Sequence, residues 1–498
     1  METFHLLMGG FAAVMQPTNL MFAFAGCVLG TLVGVLPGIG PAAGTAILIP
    51  LTATLDPTGA IIMLAAIYYG AMYGGTITSV LINTPGEAAS AVTCIDGYAM
   101  AKRGRAGPAL AIAAIGSFVG GTVATMGLVM LALPLTKLAL SFGPPEYFAL
   151  LLVGLSLVTG LASHSLVRGL IAAILGLLLA QIGTDPVVGA PRFTYGQTEL
   201  LDGFGIVPVV MGLFGVAEIL LNAEAHARQV FDTRMGSVML SKEDIRSSTG
   251  PIARGTVIGF FLGLIPGLGS MIPTFLSYSI EKKLSKTPER FGQGAIEGVA
   301  GPETANNAYA NAALIPLFTL GIPSSPTIAV LMGAFMINGL VPGPALFVEH
   351  AQFVWAVIAS LYVGNVILLI LNIPFIPLWV AILKIPYSIL TTIILGFCLI
   401  GAYSLSNSIF DIVAMLGFGV LGYLFKKLDI PAAPLVLTLV LGPLMERGLR
   451  QSLEMSEGDF SIFFTRPISG TLLAVAGIVI AISTLQAFRA VRGADSES

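Results

Sequence analysis

The sequence predicts an all-α integral membrane protein made of two inverted-topology repeats with re-entrant hairpins, plus an extra C-terminal transmembrane helix. Three observations carry that expectation. Of 498 residues, 56% are hydrophobic and 10% charged, whereas a soluble domain carries roughly a quarter charged residues. Apolar runs of about 20 residues recur from end to end, each long enough to cross a bilayer core of ~30 Å. Lastly, one glycine-rich motif occurs twice.

The runs read as helices because backbone in lipid must satisfy its own hydrogen bonds. LLVGLSLVTGL and LIAAILGLLLA are continuous, without the alternation of a membrane β-strand. The N-terminus reads as an amphipathic start, lacking the basic region and small-residue cleavage site of a signal peptide. Cys27, Cys94 and Cys398 are far apart in apolar segments and read as small buried hydrophobes. The histidines His5, His164, His226 and His350 are scattered, so no metal site is expected. No phosphate-binding loop is present, so the chain is not expected to hydrolyse ATP, nor to be an enzyme.

The repeat is explicit. GCVLGTLVGVLPGIGP (26–41) aligns without a gap to GTVIGFFLGLIPGLGS (255–270). Gly26, Gly30, Gly34, Pro37, Gly38 and Gly40 match Gly255, Gly259, Gly263, Pro266, Gly267 and Gly269. Fainter echoes join Asn83-Thr84-Pro85-Gly86 to Gly321-Ile322-Pro323-Ser324, and 176–186 to 422–432. The expected organisation is a first half (1–221), a polar cytoplasmic linker (222–252) holding Arg228, Arg234, Lys242 and Arg246, a second half (253–466), and a last helix with its cytoplasmic tail (467–498).

Charge sets the expected orientation. Cytoplasmic loops collect Lys and Arg. Lys102, Arg103 and Arg105 follow the first Asn83 region, while the counterpart at 338–350 has neither residue type. Conversely, 51–58 has none, and its counterpart carries Lys282, Lys283, Lys286 and Arg290. Equivalent loops carry opposite bias, which predicts inverted halves, a pattern of secondary transporters with midplane sites. The rule also puts Arg489 and Arg492 inside, but Arg447, Arg450 and Arg466 outside, in a loop they share with Glu454, Glu457 and Asp459.

Four motifs could carry chemistry. The glycine stripes read as helix-packing faces. The Pro-Gly breaks either turn the chain or expose backbone to a ligand, and turning is favoured. Two polar islands, TSVLINTPGEAASAV and PLFTLGIPSSPTIAV, suit hairpins of two short helices whose N-termini, hydroxyls and amides would hold a carboxylate. Freed carbonyls there could hold Na⁺. The fourth, GPETANNAYANAALIP (301–316), puts Glu303, Asn307 and Asn311 near one helix face. Interhelical hydrogen bonding and contact with a ligand or cation remain equal readings of it.

At GTLVGVLPGIGP, LINTPGEAASAVTCIDGYAMAKRG and GPETANNAYANAALIPLFTLGIPSSP the chain resembles the large permease subunit of the tripartite tricarboxylate transporter family. The resemblance spans essentially the whole chain. It departs in detail at YANAALI, where more glycine is expected. It implies residence in the bacterial cytoplasmic membrane, a small membrane subunit and a periplasmic solute-binding protein as partners, and uptake of carboxylates, citrate among them, on an ion gradient. The family also resembles elevator-type transporters with two re-entrant hairpins.

The expected site therefore joins Asn83, Thr84, Pro85 and Gly86 to Gly321, Pro323, Ser324 and Ser325, with the carboxylates between the two tips. Thr304, Asn306 and Asn307 are candidate contacts for the coupling ion, Na⁺ or H⁺, and no other cofactor is expected. The alternatives are a stand-alone ion-coupled anion carrier and, fitting less well, a channel, which would want a symmetric pore. An intramembrane enzyme would need a nucleophile–base pair or metal set.

Overall fold

An apolar chain that must pair its amides locally folds into helix almost throughout. The computed structural model describes residues 2–36, 39–161, 165–185, 187–225, 237–382 and 387–495. Pro37, Gly38, His164, His226, Arg228 and Arg234 lie outside them.

The chain opens with α1 (Glu2–Val14) and α2 (Pro17–Val35), followed by α3 (Gly40–Thr52), α4 (Pro57–Ile82), α5 (Thr93–Lys102) and α6 (Ala106–Ala139). Next come α7 (Pro144–Leu161), α8 (Leu166–Leu179), α9 (Ile206–Val210), a π-helical turn (Met211–Val216) and α10 (Ala217–Ala225). Between α8 and α9 the short strands β1 (Gly183–Thr184) and β2 (Pro191–Arg192) pair antiparallel, with Gly183 opposite Arg192. The chain then holds α11 (Lys242–Gly263), α12 (Met271–Leu284), α13 (Glu297–Ala312), α14 (Leu314–Leu320), α15 (Pro326–Ile337) and α16 (Pro344–Glu349). It continues with α17 (Ala351–Leu371), α18 (Ile376–Ile382), α19 (Tyr387–Ser406), α20 (Ile409–Lys427) and α21 (Ala432–Met455), then α22 (Ile462–Thr465) and α23 (Pro467–Asp495). Among the described residues, 8 segments are long and apolar enough to cross a membrane. Residues 242–252 of the polar stretch belong to α11, started by a capping box between Ser241 and Asp244.

The glycine stripes do pack helices. A Cβ at Gly26, Gly30 or Gly34 would land on the carbonyl oxygens of Met63, Ile67 or Ala71, so α2 lies directly against α4. A Cβ at Gly255, Gly259 or Gly263 would likewise press on Gly301, Ala305 or Tyr309, so α11 lies against α13. Each stripe helix thus serves a buried partner. Those partners stop alike: α4 ends at Asn83 (φ 55°) and α13–α14 at Gly321 (φ 71°), both left-handed.

The two polar islands are built differently. In the second, the short α14 and α15 flank the tip as expected. In the first, the leading arm is α4, 26 unbroken residues that are buried from Gly59 to Leu81. The helix survives its polar end because Thr78 and Ser79 return their hydroxyls to the Gly75 carbonyl.

Around this centre, α8, α19, α20 and α23 turn large apolar side chains outward. Ile171 and Ile174, Ile393 and Phe397, Val413 and Val420, and Ile478 and Ile482 are all exposed. Such stripes are compatible with lipid rather than water.

Candidate functional site

Three helices begin at one place. A cavity of about 390 Å³ is lined by Ile39, Gly40, Pro41 and Ala42 at the start of α3, by Ser270 just before α12, and by Pro326 and Thr327 at the start of α15. The first tip adds Pro85, Gly86, Glu87 and Ala88, and Phe214, Glu218 and Lys426 complete the wall. Unpaired amides and the positive end of the helix dipole favour an anion at each N-terminus. Lys426 adds a full positive charge, partly answered by Glu218 at 3.4 Å.

Each tip is fixed by its backbone. Gly86 is wedged in: a Cβ there would strike the Gly34 carbonyl and lie 2.6 Å from the Gly75 Cα. Only glycine lets the tip lie on the α2–α4 pair. Thr84 donates its hydroxyl to the Ile82 carbonyl, while Asn83 and Pro85 are exposed. At the second tip, Ser324 donates its hydroxyl to the Ala313 carbonyl at 2.9 Å. Its own carbonyl accepts from Gly267 N and the Tyr309 hydroxyl, which binds the second Pro-Gly break to the tip. Ser325 caps α15 by accepting from Ile328 N.

The structure brings Pro85 and Gly86 to the cavity and sets Ser325 beside its wall residue Pro326. Asn83, Thr84, Gly321, Pro323 and Ser324 do not line it. Gly321 turns the chain against the Pro342 carbonyl.

The residues at 303–311 divide by direction. Asn307 donates to Ser117, and Asn311 accepts from Thr125, so both face α6 in interhelical hydrogen bonds. Thr304 returns its hydroxyl to Ala300 and packs beneath Gly116 and Gly120. Glu303 points elsewhere, accepting from Thr76 at 2.6 Å and from Thr93. Asn306 donates to Glu87 at 2.7 Å. Thr304, Asn306 and Asn307 therefore do not converge.

Lys426 and the Glu87–Asn306 bond escaped the sequence reading. Lys426 falls within the faint echo 422–432, but nothing local says that α20 ends at a cavity. Glu87 sits in a polar island, yet its partner is 219 residues away.

The model of the tripartite tricarboxylate transporter TctA family matches residues 20–437. An uncharacterised 52.8 kDa protein in the TAR-I ttuC' 3' region of Agrobacterium vitis is 49% identical over 484 residues, covering 97% of this chain and 96% of the relative. A second uncharacterised protein, in the TAR-II ttuC' 3' region of the same organism, is 46% identical over 234 residues, 47% of this chain and 97% of the relative. No solved structure matches. With a family match across most of its length and multiple membrane-length apolar helices, the chain belongs to the tripartite tricarboxylate transporter TctA family, a family of transport proteins.

Proposed function

We propose that the chain is the large membrane permease subunit of a binding-protein-dependent secondary transporter. It takes up small organic anions, di- and tricarboxylates such as citrate, on a Na⁺ or H⁺ gradient. Its partners are a small membrane subunit and a periplasmic solute-binding protein, and it resides in the bacterial cytoplasmic membrane. The observation that carries this reading is the convergence of three helix N-termini, a glycine-built tip and Lys426 on one cavity. A polycarboxylate entering the membrane needs many donors, and these supply partial charges with one full charge. Mostly neutral donors also let an empty carrier reset at low electrostatic cost.

In this reading Pro85 and Gly86 present one side of the substrate site and Ser325 the other, while Asn83, Thr84, Gly321, Pro323 and Ser324 shape the two tips that carry them. The tips close on the anion as the halves move. Asn306 faces the coupling ion, with Thr304 and Asn307 holding α13 to α6 around it.

The test is uptake of labelled di- and tricarboxylates into proteoliposomes holding the chain, its small subunit and the binding protein. Saturable uptake under an imposed Na⁺ or proton gradient, lost when both are collapsed, is expected. Uptake that survives the collapse and follows ATP would overturn the reading.

A further inference from the structure

Two carboxyl groups lie buried without a basic partner. Glu87 is 7% exposed and Glu303 1%. Neither forms an ion pair among the described residues. They share one seam. On α4, Gly75 packs against the Glu87 side chain and the adjacent Thr76 donates to Glu303. On α13, Glu303 and Asn306 stand one turn apart, and Asn306 reaches Glu87.

A further oxygen in the seam, Asn306 Oδ1, has no hydrogen-bond partner among the described residues. Asn306 is almost wholly buried. An unpaired buried oxygen carries an uncompensated desolvation cost, and an unpaired buried carboxylate a larger one. One occupant answers all three groups, namely a cation that takes oxygen ligands. A transition metal is a poor fit, because no group of three or more His, Cys, Asp or Glu forms a candidate metal site among the described residues. A hard monovalent cation needs only such a mixed set of carboxylate and amide oxygens.

We propose that Glu87 and Asn306 Oδ1 form a Na⁺ site behind the first tip, with Glu303 supplying a second negative charge. Glu87 also lines the central cavity, so the ion enters by the substrate's route and offsets the charge of a bound carboxylate. That last role rests on the transport reading above, whereas the binding of Na⁺ does not.

The experiment uses the purified full chain without any carboxylate, and reads ²²Na⁺ binding by scintillation proximity. Thermal unfolding in NaCl is compared with unfolding in choline chloride at equal ionic strength. The parent should bind Na⁺ saturably and melt higher in Na⁺. Glu87→Gln keeps an acceptor for Asn306 and should bind about tenfold more weakly or not at all. Glu303→Gln removes the second negative charge while its amide can still pair with the Thr76 and Thr93 hydroxyls, so it should fold like the parent yet bind Na⁺ several-fold more weakly. Glu349→Gln, at an exposed position, should bind like the parent. The proposal is overturned if the parent shows no Na⁺-specific binding, or if Glu87→Gln and Glu303→Gln match it. Proton-driven uptake by a chain that does not bind Na⁺ would remove this site and leave the transport reading intact. Failed uptake with Na⁺ binding intact would do the reverse.

Discussion

Two adjacent serines at the second tip hold different positions, so their loss should read out differently. The Ser324 hydroxyl is committed to the Ala313 carbonyl. Ser324→Ala should therefore cost about 1 kcal/mol of stability, seen as a lower melting temperature with little change in apparent Km. Ser325 accepts from Ile328 N and its proton remains available beside the cavity. Ser325→Ala should lose the cap, about 1 kcal/mol. It should also raise the apparent Km roughly ten- to a hundredfold, the value of one hydrogen bond to a charged group. Unchanged Km in Ser325→Ala would move the substrate away from α15. Farther out, Asp185 accepts from the amides of Val188 and Val187 and faces Arg450 and Arg192, which together hold its carboxyl below the usual carboxylate range. A depressed folded value means that Asp185 stabilises the fold above its unfolded pKa, near 4. That stability is lost as pH falls through the lower folded value. Asp185→Asn should accordingly melt lower than the parent at pH 7, and the two curves should converge in acid. At this scale the sequence exposes candidate residue types but not their partners. Glu303, Asn307 and Asn311 were legible as one polar helix face, yet Glu303 turns to α4 and α5 while the asparagines turn to α6. A rotamer chooses among neighbouring helices that spacing alone does not identify.

The elements were more legible, because their causes are local or repeated. A glycine every fourth residue announces a close helix contact, and both stripes make one, α2 on α4 and α11 on α13. Inserting bulk should therefore separate helices rather than perturb a surface. Gly30→Leu and Gly259→Leu should each destabilise by about 1–3 kcal/mol or more, measured as lost monodisperse protein and a lower melting temperature in detergent. Gly417→Leu on α20, where an added Cβ meets nothing within 4 Å, should behave like the parent. Equal melting of all three would mean that the stripes are not contact faces. The first tip was legible only in part. Pro85-Gly86 marks the turn, but the polar residues before it suggested a short arm. Instead α4 runs unbroken to Ile82, since Thr78 and Ser79 satisfy their hydroxyls within the helix. Polarity marked the wall of a site, and the left-handed Asn83 marked the end of the helix.

At the scale of the whole molecule, the two similar glycine-stripe helix pairs raise the question of how the stretches that hold them stand in the membrane. The opposite Lys/Arg bias of equivalent loops predicts inversion, against which Arg447, Arg450 and Arg466 would count as stray positive charge on the outer side. Two of these are answered locally. Arg450 pairs with Asp185 and Glu446, and Arg466 with Glu146 at 3.3 Å. Pairing does not separate the loops, because Arg105 is itself paired with Asp244 and Arg290 with Glu297; the expected orientation follows from the Lys and Arg clusters at 102–105 and 282–290. Arg103 and Glu349 are both exposed and follow the equivalent helix ends at Asn83 and Gly321. Single cysteines at these two positions should react with a membrane-impermeant maleimide from opposite sides of the membrane, position 103 from the cytoplasmic side and position 349 from the outer side. The background is manageable, since Cys27 and Cys398 are buried and only the partly exposed Cys94 needs removal. Cys94→Ala gives up one weak bond to the Ser90 carbonyl and should leave the fold intact. Labelling of positions 103 and 349 from the same side would show that the halves run parallel. The α3, α12 and α15 N-termini would then need a different explanation for meeting at one cavity, because inversion is what would bring equivalent helix starts from opposite membrane faces to a common depth.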